Sequence, residues 1–358
     1  MLTSGAYGYM LDYIVGWLLL LSWIAHTWCF FRFFPLRRFR RSGLLVGNSL
    51  VLGCLAGIVA IAWESHLRFV AVETDSFGMS LPARRWFLLH TRLNSLGCRD
   101  EEWSPSRPAG SRRIAFVGDS FTYGWGIKRA DDRLTEMLER KFGQREDGSP
   151  AVSIMNVSKP GWDTSAEAAA IEQLLRGYEV DEIVLCYVPN DIEKLLPVTE
   201  SFNPIVPPQP TFFNLDSSCL LEYLYNRLIV PRLPVVRDYG DWLADGFDDE
   251  QVWRQHQQQL TGIVRLCRDR GVALRAVILP FLRSRGVKYQ ADRVHGMLRQ
   301  FFATHEVPVA DLLDVVQERD VSQLVVNRGD AHPNEKAHAL FAARIWESFY
   351  ATPDELTR

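Results

Sequence analysis

Short apolar runs alternate with segments of helical periodicity from residue 113 to residue 350. The apolar runs are residues 114–117, 152–157, 183–188, 272–279 and 307–310. The helix-patterned segments are residues 132–142, 165–178, 249–268 and 334–350, with Thr164 or Ser165 as the expected N-cap of the second. Strands that alternate with helices in this way form a parallel sheet with helices on both faces. We therefore predict a three-layer α/β/α sandwich with a parallel sheet.

Two apolar runs precede this region. Residues 13–31 contain nineteen positions without a formally charged side chain, and residues 43–63 form a second such run. A helix needs about 20 apolar residues to cross a hydrocarbon core of roughly 30 Å. We predict a two-helix transmembrane hairpin over residues 1–66. The alternatives are a buried core helix and a cleaved signal peptide.

The charges around the two runs predict an orientation. Five arginines separate the runs, and the first twelve residues contain no Lys or Arg; the arginines are Arg32, Arg37, Arg38, Arg40 and Arg41. Since cytoplasmic loops are enriched in basic residues, the arginine loop is expected in the cytoplasm and both ends of the hairpin outside, with everything after about residue 64 exported. A secretory signal would carry its basic residues before the apolar stretch, not after it.

The rest of the chain divides into a linker and one large domain. Residues 67–112 are rich in turn-forming residues and predict an extracytoplasmic linker, and residues 113–352 predict the domain itself. The alternation breaks at about residues 195–247, which contain several prolines and aromatic residues. Long loops of this kind are often functional, so we expect a substrate-facing insertion.

Among possible binding partners, the composition argues only against nucleic acid. The net charge is −3 and 47% of the residues are hydrophobic, so no basic surface for nucleic acid is indicated. The six cysteines have neither a CxxC motif nor the spacing of a zinc site. Outside the cell a disulfide could form among four of them, and the pairing stays open: Cys98, Cys186, Cys219 and Cys267.

Four polar blocks follow predicted strands or begin the last helix. They are residues 118–126 (GDSFTYGWG), 156–164 (NVSKPGWDT), 188–191 (VPND) and 329–334 (GDAHPN). In open parallel sheets, functional groups collect in the crevice beyond the carboxyl ends of the strands. We therefore expect these four blocks to meet at one edge of the sheet.

These blocks contain the groups that acyl transfer needs. A serine hydroxyl becomes a good nucleophile when a neighbouring imidazole removes its proton, and Ser120 and His332 could form such a pair. The oxyanion of the tetrahedral intermediate needs hydrogen-bond donors. The backbone N–H groups of Ser120 and Gly161 and the side-chain amide of Asn190 could supply them.

The four blocks, in this order, resemble those of the SGNH or GDSL-type hydrolase superfamily, whose fold is of the flavodoxin-like kind. The resemblance covers about residues 113–350. It implies that Ser120 is the nucleophile and His332 the base, with an oxyanion hole formed by Ser120, Gly161 and Asn190. It also implies that Asp330 orients His332. The commonest form of the last block has its acid three residues before the histidine, a position that Gly329 occupies here. A Ser-His dyad therefore remains an alternative.

The expected function is that of a membrane-anchored extracytoplasmic serine esterase acting on short acyl esters of a glycan or lipid. No cofactor and no metal site are expected. An O-acyltransferase that modifies cell-envelope polysaccharide would use the same residues, and with two spans it would need a multi-span membrane partner to deliver acyl groups. A non-catalytic glycan-binding protein is a third reading, although such a protein has no need for a nucleophile, a base and oxyanion donors together.

Overall fold

The computed structural model describes residues 4–33, 40–76, 80–107, 109–144, 148, 150–198, 218–282, 291–317 and 319–351. Its strands are β1 (Arg112–Gly118), β2 (Val152–Ser158), β3 (Glu182–Tyr187), β4 (Ala273–Ile278), β5 (Val309–Asp311), β6 (Val325–Asn327) and β7 (Asp330–Pro333). Its first helices are α1 (Ser4–Phe33), α2 (Arg40–Phe69), α3 (Leu81–His90), α4 (Ser120–Tyr123), α5 (Leu134–Phe142) and α6 (Thr164–Gly177). The later helices are α7 (Cys219–Leu224), α8 (Pro234–Arg237), α9 (Tyr239–Asp248), α10 (Glu250–Asp269), α11 (Ala291–Thr304), α12 (Leu313–Gln317) and α13 (Glu335–Phe349).

Five strands form one parallel sheet in the order β2-β1-β3-β4-β5. Gly118, the last residue of β1, is level with Ser158 of β2 and with Cys186 of β3. The segments that leave these three strands therefore start from the same edge of the sheet. The predicted parallel α/β fold is confirmed. The strands β6 and β7 form a separate antiparallel hairpin, which the sequence analysis did not predict.

Both faces of the sheet are covered, because successive residues of a strand point to opposite faces. From β1, Ala115 and Val117 join a core cluster with residues of α6, α10 and α11. From the same strand, Ile114 and Phe116 join a second cluster with residues of α5 and α13. These two clusters make the fold a three-layer sandwich, as predicted.

Polar side chains cap the N-termini of the helices that follow the sheet edge. Asp163 is the N-cap of α6, since its carboxylate accepts a hydrogen bond from the Ala166 N–H at 3.0 Å. The expected cap at Thr164 or Ser165 was therefore wrong by one or two residues. Asn334 caps α13 and accepts hydrogen bonds from two backbone N–H groups of its first turn. All six cysteines lie in described parts of the chain and are free.

Two helices, Met10–Phe33 and Arg41–Phe69, are long and apolar enough to cross a membrane. They pack against each other in antiparallel directions, with the Tyr13 hydroxyl 2.7 Å from Ser65 Oγ and the Trp23 ring N–H donating to the Leu50 carbonyl. Large apolar side chains along both helices are exposed, among them Leu18, Leu19, Leu45 and Leu52. Such surfaces are typical of helices that face lipid rather than water.

The chain forms two compact units. One consists of Met1–Glu73, Phe77–Arg85 and Pro207–Pro231, and the other of Thr74–Ser76, Trp86–Val206 and Arg232–Arg358. The domain boundaries at residues 66, 112 and 352 stay predictions.

The predicted insertion at 195–247 is shared between the two units, and its residues 199–217 lie outside the described part of the chain. Within the first unit, the Glu64 carboxylate of α2 accepts hydrogen bonds from the Ser218 hydroxyl and from the N–H of Leu220, both at 2.7 Å. These hydrogen bonds connect the start of α7 to the C-terminal end of the apolar helix α2.

Candidate active site

A sharp turn after β1 carries Ser120. A side chain at Gly118 would collide with Thr122 and come within 3.0 Å of the Cys186 carbonyl oxygen, so this position needs glycine. The next residue, Asp119, caps α4 by accepting a hydrogen bond from the Phe121 N–H at 2.8 Å. Ser120 is thereby placed at the first position of a short helix at the edge of the sheet.

Ser120, His332 and Asp330 form a hydrogen-bonded chain. Ser120 Oγ lies 2.8 Å from His332 Nε2, and His332 Nδ1 lies 2.5 Å from Asp330 Oδ1. Asp330 Oδ1 also accepts a hydrogen bond from the His332 backbone N–H at 3.1 Å. Asp330 is 1% exposed. An acid two residues before the histidine therefore reaches the imidazole in this chain.

The electrostatic surroundings of His332 favour its protonated form. Burial by itself lowers the pKa of His332, but the charge and hydrogen bond of Asp330, with smaller contributions from Asp119 and Asp75, raise it above its ordinary value. An imidazole with a raised pKa is a stronger base once it is neutral. It also holds more readily the proton that it would receive from Ser120.

Gly161 and Asn190 lie on the segments that follow the two strands beside β1. Gly161 is three residues past Ser158 and has φ +78°, a left-handed conformation that favours glycine. Asn190 belongs to the 3-10 turn Pro189–Leu195, which directly follows β3 and Val188. Its side-chain oxygen is buried and has no hydrogen-bond partner among the described residues. The structure thus brings both residues to the sheet edge at which Ser120 lies.

Three buried carboxyl groups lie close to this edge. Burial raises the pKa of Asp119 to about 6. Burial and the neighbouring charges of Asp119 and Asp163 raise the pKa of Glu167 well above its ordinary value. Burial and the charges of Glu167 and Asp119 likewise raise the pKa of Asp191 well above its ordinary value. Burial therefore favours the protonated form of Glu167.

Two buried arginines that the sequence analysis missed support the turn after α4. Arg99 donates to the carbonyl oxygens of Gly124 at 2.9 Å and Ile127 at 2.7 Å. Arg133 donates to the Arg99 carbonyl and pairs with Glu136. Burial lowers the pKa of Arg99 to about 10, which leaves it charged at neutral pH. Because residues 67–112 read as a linker, no sequence signal pointed to Arg99.

Two other histidines of the domain, His338 and His256, are buried in its packing. His338 is buried and its Nδ1 accepts a hydrogen bond from the Leu134 N–H at 3.0 Å, and burial lowers the pKa of His338 to about 3. His256 is buried beside Tyr187. Across the described ranges, no group of three or more His, Cys, Asp or Glu side chains could hold a metal ion.

The sequence of residues 116–340 matches the model of the GDSL-like Lipase/Acylhydrolase family. This match spans more than half of the 358 residues. The chain belongs to this family. It is a GDSL-type hydrolase, and the matched residues include all four polar blocks. No curated protein sequence matches the chain.

Several solved structures of this superfamily are similar in fold. TesA has 15% identical residues and a TM-score of 0.41, with 67% of this chain and 99% of TesA covered. The esterase EstA from Pseudoalteromonas sp. has 15% identity and a TM-score of 0.41, with 66% and 96% covered. The lipase/acylhydrolase from Enterococcus faecalis has 15% identity and a TM-score of 0.38, with 66% and 94% covered.

Proposed function

We propose that the chain is a membrane-anchored extracytoplasmic serine esterase that hydrolyses short acyl esters, with acetyl as the expected group, of a cell-envelope glycan or lipid. The observation that carries this proposal is the chain of hydrogen bonds from Ser120 Oγ through His332 to Asp330, with distances of 2.8 and 2.5 Å. This is the arrangement in which an imidazole activates a serine and a carboxylate orients the imidazole.

In the proposed reaction, Ser120 Oγ attacks the ester carbonyl carbon while His332 Nε2 takes the hydroxyl proton. The N–H groups of Ser120 and Gly161 and the Asn190 amide stabilise the oxyanion that forms. His332 then gives its proton to the departing alcohol oxygen, which leaves an acyl group on Ser120. A water molecule, deprotonated by His332, then attacks the acyl-enzyme. The bond from the acyl carbon to Ser120 Oγ breaks, His332 returns its proton to Oγ, and the carboxylic acid is released.

The surroundings of His332 favour a small acyl group. The Phe121 ring packs edge-on against the imidazole with centroids 5.5 Å apart, and the Trp125 ring lies 6.4 Å away. Both side chains are more than nine-tenths buried. Aromatic side chains therefore pack against this side of the imidazole, which supports a small acyl group in the proposed reaction.

The N-terminal helices support a substrate at the membrane. Two adjacent helices that are long and apolar enough to span would hold the hydrolase domain at a bilayer surface. The arginines between them favour a cytoplasmic loop, which would put the hydrolase domain on the outer side. Esters of envelope glycans and lipids are the acyl compounds within reach of a domain held there.

A fluorophosphonate probe, which phosphonylates activated serines, tests the proposed nucleophile. The full chain in detergent should be labelled on Ser120, as located by peptide mass spectrometry. Labelling should be lost in Ser120→Ala, strongly slowed in His332→Ala and unchanged in Ser95→Ala, which removes an exposed hydroxyl. A folded chain that resists the probe would contradict the proposal and favour a glycan-binding role.

Acyl transfer to a sugar hydroxyl would use the same acyl-enzyme, so a second assay separates hydrolysis from transfer. The full chain is incubated with an O-acetylated polysaccharide and with the same polysaccharide after deacetylation. Release of acetate is the expected result. Acetylation of the bare polysaccharide from an acyl donor, without release of acetate, would contradict the esterase and favour an acyltransferase with a membrane partner.

A further inference from the structure

A short segment of the chain, a few residues after α2 in sequence, binds the loop that carries His332. Thr74–Ser76, here called the strap, follows α2 along the chain and belongs to the same compact unit as the active site. The Ser76 N–H donates to the Gly329 carbonyl at 3.1 Å, and the Ser76 hydroxyl accepts from the Ala331 N–H at 3.3 Å. These two backbone groups flank Asp330. The strap therefore fixes the peptide groups on both sides of the carboxylate that orients His332.

A second link joins the strap to the start of the same loop. The Asn327 side-chain amide donates to the Thr74 carbonyl at 3.0 Å. Its oxygen accepts from the Gly329 N–H at 2.7 Å, so one side chain holds both the strap and the turn of the β6-β7 hairpin. Because the Asn327 side chain makes both hydrogen bonds, the position of the strap affects the position of Asp330.

A third link reaches the other side of the imidazole. The Trp125 ring N–H donates to the Asp75 carbonyl at 3.1 Å. Trp125 is 7% exposed, and its ring packs against Trp86, with centroids 5.1 Å apart, as well as against His332. All three residues of the strap thus bind groups that surround the histidine.

We infer that the strap is a positioning element for the catalytic histidine, and that the stretch of chain leaving the anchor thereby sets the activity of the hydrolase domain. The inference rests on the proposed function, because it concerns the geometry of the Ser120-His332-Asp330 chain. The residues involved, Ser76, Asn327 and Trp125, are positioning residues: they act through Asp330 and His332.

Variants of the full chain in detergent test this inference. Ser76→Ala removes one hydroxyl, and Trp125→Phe removes one ring N–H; neither change adds a charge near His332. The combined variant should lower kcat for p-nitrophenyl acetate by about tenfold to hundredfold, since small misplacements of catalytic groups have effects of this size. KM should change less than kcat.

The pH profile distinguishes positioning from a general loss of folding. When Asp330 is held less firmly, the apparent pKa on the acid limb of kcat/KM should move down towards the ordinary histidine value. Rates are expressed per active site, counted with the fluorophosphonate probe. Arg328→Gln, a change at an exposed residue of the same hairpin turn, is the control and should behave as the wild type.

The outcomes separate the two proposals. A wild-type chain without esterase activity would contradict the proposed function. An active wild-type chain whose combined strap variant keeps both kcat per active site and the pH profile would overturn the strap inference alone. A fall in activity that merely follows the number of active sites would overturn it as well, since the strap would then only stabilise the fold.

Discussion

Asp330 and His332 are held in place by a local ring of hydrogen bonds. The same carboxylate oxygen of Asp330 accepts from the backbone N–H and lies 2.5 Å from Nδ1 of the residue two positions later. Aspartate side chains readily fold back in this way onto the backbone two residues ahead. This geometry explains why an acid at this unusual spacing can orient the imidazole.

Replacing Asp330 with asparagine should reduce kcat while leaving the fold intact. The carboxylate holds the tautomer and stabilises the imidazolium, and its loss in serine hydrolases lowers kcat by about 10⁴ at most. We expect a loss of about 10²-fold to 10⁴-fold in steady-state ester hydrolysis. Asp314→Asn, on α12, serves as the control for removal of a carboxylate. A near-normal rate in Asp330→Asn would favour a Ser-His dyad.

The activity should rise with pH through the pKa of His332. Only the neutral imidazole can accept the Ser120 proton, and the pKa of His332 is raised above its ordinary value of 6.5. The acid limb of kcat/KM should therefore have its midpoint above pH 6.5 and lose activity below it. The measurement is a pH profile of p-nitrophenyl acetate hydrolysis. A midpoint below 6.5 would mean that burial outweighs the charge of Asp330.

The proposed catalytic residues could be predicted from the sequence because each belongs to a short motif at a strand end. Their supporting residues could not. Arg99 and Asn327 act through hydrogen bonds to backbone carbonyls that are distant along the chain, at Gly124 and Thr74. Backbone carbonyls are present at every residue, so a sequence gives no sign of which ones a side chain will bind.

At the scale of elements, the five sheet strands and the helices α6, α10 and α13 were predicted, whereas the hairpin strands β6 and β7 and the helices α3 and α11 were not. The five sheet strands are apolar on both faces, and α6, α10 and α13 have a regular apolar stripe, so their bounds were predicted to within two residues. The strands β6 and β7 have only three and four residues and include the polar residues Asn327, Asp330 and His332. The helix α3 lies in a stretch containing two arginines and a proline, which read as irregular.

The helix α6 carries a buried acid whose protonation should make stability depend on pH. Burial raises the pKa of Glu167 in the folded state above its ordinary value of 4.5. Its contribution to stability is therefore complete below pH 4.5 and is lost as the pH rises towards the folded-state pKa.

Glu167→Gln should remove this dependence. The free energy of unfolding of the wild type should fall with pH more steeply than that of the variant, by up to about 1.4 kcal/mol per pH unit. Urea unfolding at several pH values measures the difference. Glu172→Gln, on the same helix but with a side chain that is 47% exposed, should follow the wild type. Equal slopes for Glu167→Gln and wild type would show that Glu167 is ionised when folded.

At the scale of the whole molecule, the two apolar helices distinguish this chain from a hydrolase domain alone. Their length and exposed apolar side chains suit a bilayer. The sequence predicted these helices because uninterrupted apolar runs are rare outside membranes. It could not predict that Glu64, near the end of the second helix, binds the Ser218 hydroxyl 154 residues later.

Reporter fusions test the proposed orientation. Alkaline phosphatase, which is active only outside the cytoplasm, should be active when fused after residue 70 and inactive when fused near Arg40. The reason is the basic loop between the helices, which favours the cytoplasmic side. A cytoplasmic reporter fused at the same two sites is the control and should give the opposite result. Phosphatase activity near Arg40 alone would contradict the export of the hydrolase domain.

The most direct test of the central claim is hydrolysis of p-nitrophenyl acetate by the full chain in detergent, compared with Ser120→Ala and His332→Ala. We expect turnover by the wild type and a loss of about 10³-fold or more in each variant, because nucleophile and base act as one unit. Wild-type turnover in Ser120→Ala, with the protein folded, would contradict the assignment of Ser120 as the nucleophile.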